Sequence, residues 1–163
     1  MTLHAPSPLS DHHILDGFDS GTPSLDDWLK RRARANQVAG ASRCFVVADD
    51  DRVIAYYALA SSSIMHRDAT GGFRRNMPDP IPVVTLARLA VDREYQKLGL
   101  GRDLIQDAGK RVLVAADQIG IRGMMVHAIS EEAKAYYIKR GFLQSPTSDM
   151  MLMVSLAMLR DSL

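Results

Sequence analysis

The chain has 163 residues, 47% hydrophobic and 24% charged, an ordinary globular composition that fits one domain, residues 1–163, better than two. Twenty Lys and Arg stand against nineteen Asp and Glu, and the net charge of +1 excludes a uniformly basic nucleic-acid coat and an acidic disordered tail, so a polyanion must be met by a local patch. Cys44 is the only cysteine, which excludes an intramolecular disulfide and a multi-cysteine zinc site and points to the reducing cytoplasm.

Met1 to Pro8 carries prolines and a histidine where a secretory leader needs an apolar run, and no stretch approaches about 18 uninterrupted apolar residues. The expectation is a soluble cytoplasmic protein with no membrane partner. Asp11 to Asp27 holds five aspartates and no Lys or Arg, whereas Trp28 to Arg43 holds Lys30, Arg31, Arg32, Arg34 and Arg43 and no acid. Spacing predicts a helix here, with Ser24 as N-cap, Asp26 and Asp27 in the first turn, Leu25, Trp28, Leu29 and Ala33 on one face, and Gly40 as the stop. The cations then lie on other faces, as an outer or partner-facing patch or as an ordinary solvated helix face.

Cys44–Ala48 and Val53–Leu59 are β-rich runs around the polar turn Asp49–Arg52, which predicts an antiparallel hairpin. Ser61 to Pro80 follows as a long connection containing Gly71-Gly72, Arg74-Arg75 and Met77-Pro78-Asp79-Pro80, and loops of that length are usually functional or mobile. Ile81 to Val91 is nearly all apolar, as in a strand buried on both faces, except for Arg88. An arginine there must find an anion or a carboxylate, and Asp92 is a candidate. Helical spacing from Gly101 to Ile119 closes at Gly120. Met124–Ala128 reads as a short buried strand, Glu131–Arg140 as a short helix closed by Gly141, and Met151–Leu156 as a last strand. The sequence therefore predicts an α/β chain with a mixed sheet and one parallel βαβ crossover, where the chemistry is expected.

The turn Arg93–Arg102 at that crossover is polar, glycine-spaced and opens into a helix. Gly99 and Gly101 leave room for several N–H groups to meet one anion, the helix start adds partial positive charge, and Arg93, Lys97 and Arg102 add full charges. A pyrophosphate fits these surroundings. The plainer reading is a strand-to-helix turn whose glycines only relieve strain, since neither the dinucleotide G-x-G-x-x-G spacing nor the P-loop Lys-Ser/Thr pair is present.

Gln96-Lys97-Leu98-Gly99-Leu100-Gly101 resembles the Q/R-x-x-G-x-G/A acetyl-CoA motif of the GNAT N-acetyltransferases. Arg88–Asp92 before it and Ala133–Phe142 after it, similar to the family's A-x-x-F/Y-Y-x-x-x-G-F segment, extend the resemblance. It implies the GNAT acyl-CoA N-acyltransferase fold, a central, mostly antiparallel sheet with a parallel splay between its fourth and fifth strands and flanking helices. It also implies acetyl-CoA as cofactor, bound by Leu89, Ala90, Val91, Gln96, Lys97, Leu98, Gly99, Gly101 and Arg102. Leu89 and Val91 would offer backbone to the pantetheine arm, and a main-chain N–H there could stabilise the thioester oxyanion, worth about 3 kcal/mol.

The phrases SLDDWLKRRARANQ, GASRCFVV, YYALA, RRNMPDPIPV and LARLAVDREYQKLGLG resemble, in order, the toxin branch of type II toxin–antitoxin modules, the TacT- and KacT-like enzymes that acetylate the α-amino group of aminoacyl-tRNA and stop translation. This narrower resemblance implies an aminoacyl-tRNA substrate, a homodimer and a ribbon-helix-helix antitoxin. It assigns Tyr137 as the general acid that protonates the departing coenzyme A thiolate. With a phenol at about 10 and a thiol at about 8.5, that transfer is uphill by about 2 kcal/mol, which one hydrogen bond can offset. Tyr136 and Tyr137 are otherwise one core and one surface aromatic, since adjacent helical positions diverge by about 100°.

No obvious general base accompanies them. An α-amine with a pKa of about 7.7 to 8.0 is roughly 10 to 20% neutral at pH 7, against about 0.04% for a lysine. An α-amino acceptor therefore needs little help. Asp92, Glu131, Glu132 and His127 are the groups that could act as a base, although His127, ending an apolar strand, reads first as a satisfied core histidine. Arg74, Arg75, Arg88, Lys134, Lys139 and Arg140 are the candidates for tRNA phosphates, with solvated surface as the alternative. His4, His12, His13 and His66 have no metal-ligand spacing with each other or with Cys44, and no metal is assigned. The alternatives to the toxin are a GNAT enzyme acting on a small-molecule amine or a protein N-terminus, and a non-catalytic nucleic-acid or partner-binding module.

Overall fold

A computed structural model describes residues 3–162. The elements are β1 (Ser7–Pro8), α1 (Pro23–Arg31), α2 (Ala33–Ala39), β2 (Arg43–Asp49), β3 (Arg52–Ile64), α3 (Gly71–Arg74), β4 (Ile81–Val91), α4 (Leu100–Ala116), β5 (Gly123–His127), α5 (Glu131–Lys139), β6 (Leu143–Gln144), β7 (Met151–Ser155) and α6 (Leu156–Ser162), with 3-10 turns at His66–Asp68 and Arg93–Leu98. The strands form one mixed sheet in the order β1-β2-β3-β4-β5-β7-β6, with β4 and β5 parallel, the α/β arrangement that the sequence predicts. The chain divides into two compact units, one built from the residues up to Ala60 with Ala87–Ala108, the other from Ser61–Leu86 with the residues from Gly109 onward.

In the first unit the predicted single helix is two. Thr22, not Ser24, is the N-cap, and Pro23 takes the first helical position, where its missing N–H costs nothing. Arg32 leaves helical geometry (φ −122°, ψ −30°) and splits α1 from α2, and Gly40 closes α2 in the left-handed conformation (φ 80°). Leu25, Leu29 and Ala33 are buried, as their spacing requires, and they pack with Phe18, Val46, Val53, Tyr56 and Ala90. The Tyr56 hydroxyl donates to the Leu25 carbonyl (2.7 Å), and the Trp28 ring stacks on Tyr56 with centroids 5.9 Å apart. The hairpin β2–β3 is antiparallel with an irregularity between Val47 and Ala48, and Asp50 turns it with φ 55°.

In the second unit β4 and β5 pair at Val84 with Met124 and Thr85 with Met125. Strand β7 runs antiparallel to β5 from Gly123 with Ser155 to His127 with Met151. Gly123 is dictated by this ladder, because a Cβ there would lie 2.1 Å from the Val154 carbonyl oxygen. Ile64, Phe73, Ile81, Val83, Met125 and Met153 form the core. Ser61–Pro80 is not the open connection expected from its length: β3 continues to Ile64 and two short helical turns follow. His66 Nε2 lies 2.8 Å from the Met77 carbonyl and 2.9 Å from that of Pro78. The Arg122 guanidinium donates to the carbonyls of Phe73 (2.8 Å) and Gly72 (2.8 Å).

Two two-residue strands and α6 lie outside the sequence expectation, which carried the last strand to Leu156. The chain turns helical there, with Ser155 Oγ accepting the Met158 N–H (3.2 Å) and Leu159 buried. Among the described residues, no helix is long and apolar enough to cross a membrane.

Candidate active site

The phosphate-turn candidate lies in the first unit. Asp92 opens it as a buried cap: one carboxylate oxygen accepts the Glu94 N–H (3.0 Å) and the other the Asp19 N–H (3.1 Å). Asp92 is thereby committed to the turn, which corrects its assignment as partner of Arg88. Arg88 instead lays its guanidinium 5.0 Å from the Trp28 ring centroid, so an aromatic face replaces the anion that its position in an apolar strand demands. Trp28 appeared in the sequence only as a core position, and no local signal links it to residue 88.

Arg93–Leu98 forms a 3-10 turn and Gly99 ends it at φ 78°, a conformation for which glycine carries little steric cost. Helix α4 starts at Leu100, one position before the expected Gly101, and its first backbone bond runs from the Asp103 N–H to the Gly99 carbonyl (3.2 Å). The amides just ahead of Asp103 are those for which a helix start provides no intrahelical acceptor. An anion at the start of this 17-residue helix would meet such amides beside its positive end.

Lys97, Leu98, Gly99 and Arg102 are exposed and Gly101 is half-buried. The Arg102 guanidinium stands over Gly99, 3.6 Å from where a Cβ would project. Gln96 is exposed as well, but its Nε2 donates to the carbonyls of Ser20 (2.9 Å) and Val91 (2.9 Å), so its side chain braces the turn against the end of β4. Arg93 pairs with Asp19 at 3.3 Å. On β4, Leu89 and Val91 are half-buried and Ala90 is buried.

The second unit carries the phenol. Ser130 caps α5 by accepting the Ala133 N–H (3.1 Å), and Gly141 (φ 99°) reverses the chain after it. That reversal folds Phe142 back onto Tyr137, with ring centroids 5.4 Å apart at 63° and the Phe142 N–H on the Tyr137 carbonyl (3.2 Å). The A-x-x-Y-Y-x-x-x-G-F spacing is thus a packing rule: a left-handed glycine lets the phenylalanine bury the tyrosine ring. Tyr137 is 8% exposed, and burial raises its hydroxyl above the usual phenol range.

Tyr136 diverges, its ring at 85° to that of Tyr137. The Arg140 guanidinium lies 3.5 Å from the Tyr136 centroid and donates to the Tyr136 carbonyl (3.0 Å), and Arg140 Nε is buried without a hydrogen-bond partner. Neither the stacking of Arg140 nor its orphaned nitrogen is visible in the sequence. Lys134 is half-buried and Lys139 exposed. Arg74 and Arg75 are exposed at the end of α3, with Arg74 donating to the His66 carbonyl (3.3 Å). His127 is exposed rather than a core histidine, because β5 ends there. Glu131 and Glu132 are exposed in the first turn of α5, where they complement its dipole.

A model of the acetyltransferase (GNAT) domain matches residues 40–144. A tRNA-acetylating toxin of Mycobacterium tuberculosis is 53% identical over 150 residues, 92% of this chain and 90% of the toxin. AtaT complexed with acetyl-methionyl-tRNAfMet superposes with a TM-score of 0.89 at 26% identity, covering 98% of each chain. A tyrosine-to-phenylalanine mutant of AtaT, bound to acetyl-CoA and the C-terminus of the antitoxin AtaR, superposes with a TM-score of 0.83 at 26% identity, covering 98% of this chain and 97% of the other.

Proposed function

The chain belongs to the GNAT acetyltransferase family, and on that footing we propose that it is the toxin of a type II toxin–antitoxin module that acetylates the α-amino group of aminoacyl-tRNA and so blocks translation. The observation that carries the reading is 53% identity, across 92% of the chain, to a tRNA-acetylating toxin.

Acetyl-CoA supplies the acetyl group as a thioester. Main-chain amides between Gln96 and Arg102, with Lys97 and Arg102 alongside, hold its pyrophosphate, and the left-handed Gly99 with the bracing of Gln96 supports that role. The backbone of Leu89, Ala90 and Val91 pairs with the pantetheine arm. The neutral α-amine attacks the acetyl carbonyl carbon, the carbon–sulfur bond breaks, and the Tyr137 hydroxyl gives its proton to the departing sulfur. The amine's extra proton then restores the phenol or leaves to solvent. Burial keeps the Tyr137 phenol protonated at any working pH, as a donor must be. It also makes the transfer to sulfur further uphill than for a free phenol, so the proton moves as the carbon–sulfur bond breaks and charge builds on the sulfur.

Arg74, Arg75, Arg88, Lys134, Lys139 and Arg140 make up the tRNA-facing set. The exposed Arg74, Arg75 and Lys139 meet phosphates, while Arg88 and Arg140, already laid on aromatic rings, hold their guanidiniums in fixed orientations. One GNAT domain spans both units, and the family match across residues 40–144 supports this. A homodimer, a ribbon-helix-helix antitoxin and the cytoplasm complete the reading. It is tested by incubating charged and uncharged tRNA with radiolabelled acetyl-CoA. Label in acid-precipitable RNA is expected only with charged tRNA, and equal labelling of both would overturn the reading.

A further inference from the structure

Directly ahead of the glycine turn, Tyr95 is fastened to the tip of the β2–β3 hairpin. Its ring is buried, and its hydroxyl donates to Asp49 Oδ2 (2.8 Å) while accepting from Arg52 Nη2 (2.8 Å). Asp49 and Arg52 face each other as the closing pair of the hairpin. The Arg52 guanidinium also covers the Tyr95 ring, 5.6 Å from its centroid, and reaches Glu94 Oε2 at 3.7 Å. One phenol oxygen thus joins a carboxylate and a guanidinium, and hydrogen bonds to charged partners are the stronger kind. Downstream, the 3-10 turn is short and ends in a left-handed glycine; Arg93 ties its start to Asp19, and Tyr95 and Gln96 fasten its middle, next to the glycine step.

We propose that Tyr95, clamped between Asp49 and Arg52, is a positioning residue for the coenzyme: it fixes the direction of the Gln96–Arg102 amides before a pyrophosphate arrives. The inference rests on the phosphate-turn reading above and adds a residue outside the motif that makes the turn rigid. With the clamp released, the amides must be ordered as the phosphates bind, and affinity falls by that ordering cost. The clamp includes neither Tyr137 nor any other group assigned to the chemical step, so turnover at saturation is spared.

The test is calorimetric titration of coenzyme A into wild type, Tyr95→Phe and Asp49→Asn, with steady-state kinetics on charged tRNA. Tyr95→Phe removes one oxygen and keeps the buried ring, and Asp49→Asn keeps an acceptor at the same place. For Tyr95→Phe the expected result is a Kd for coenzyme A and a KM for acetyl-CoA raised about tenfold, with kcat within about twofold, and for Asp49→Asn a smaller shift in the same direction. A clamp that only stabilises the fold would lower the melting temperature and leave Kd unchanged. That result, or a fall in kcat at unchanged KM, overturns the proposal while the phosphate-turn reading stands. If wild type fails to bind coenzyme A, both fall together. Should Tyr95→Phe not fold, Asp49→Asn alone decides by the same readout.

Discussion

The Phe142 ring packs edge-on against Tyr137 at 5.4 Å between centroids, and it reaches that position because Gly141 turns the chain at φ 99°. The phenol's orientation is therefore set by a residue with no chemistry of its own. Phe142→Ala should cost about 3–5 kcal/mol of stability through the cavity it leaves, measured by chemical denaturation. At a temperature where the variant remains folded, acetyl transfer should fall while coenzyme A binding holds. Unchanged transfer would detach the phenylalanine from the catalytic arrangement.

Tyr137→Phe should slow transfer by about 10² to 10⁴-fold and leave coenzyme A binding intact. Because burial raises the phenol's pKa, its protonated form persists through the assay range, and kcat/KM should show no descending limb from it. The rate should rise with pH as the acceptor α-amine loses its proton near about 7.7 to 8.0, then level off. A fall in rate between pH 8 and 9.5 that disappears in Tyr137→Phe would contradict this assignment.

His13 gives the fold its own pH dependence. It is buried, and its Nδ1 accepts the Ser10 N–H (3.0 Å), which only an unprotonated nitrogen can do. Burial lowers its pKa below 6.5, and neighbouring His12 and Arg34 lower it further against the opposing pulls of Asp51 and of a backbone hydrogen bond with Ser10. The unfolded chain binds this proton more readily, so stability is fully present above about pH 6.5 and is lost as pH falls through the lower folded value. Melting curves from pH 7.5 to 5 should show this slope in wild type and a flatter one in His13→Gln. Parallel slopes would rule His13 out as the source.

The salt dependence of tRNA acetylation should expose the phosphate contacts. If Arg74 and Arg75 each meet a phosphate, kcat/KM should fall linearly with ionic strength on logarithmic axes, and each Ala substitution should reduce the slope by about 1. A slope identical to wild type in Arg74→Ala/Arg75→Ala would return both arginines to the solvated surface.

The crossover strand, the glycine turn and the helix bearing Tyr137 were legible in the sequence because each rests on local spacing: an apolar run, a G-x-G step, a glycine four residues past a tyrosine. Other features depend on partners far along the chain. Arg88 was expected to seek Asp92, four residues away, but its partner is Trp28, and Asp92 serves the turn through Asp19. Tyr95 carried no signal beyond being aromatic, since Asp49 and Arg52 lie more than forty residues earlier. The split of α1 from α2 at Arg32 carries no glycine or proline to mark it, and the strands at Ser7–Pro8 and Leu143–Gln144 are too short for a period of two to register.

The most direct test is mass spectrometry of aminoacyl-adenosine released by nuclease from bulk charged tRNA after incubation with the enzyme and acetyl-CoA. The predicted result is one acetyl group on the α-nitrogen of the amino acid, absent when Tyr137→Phe replaces wild type over the same short incubation. Acetyl found on the nucleoside or on a lysine side chain, with the α-amine untouched, would contradict the account.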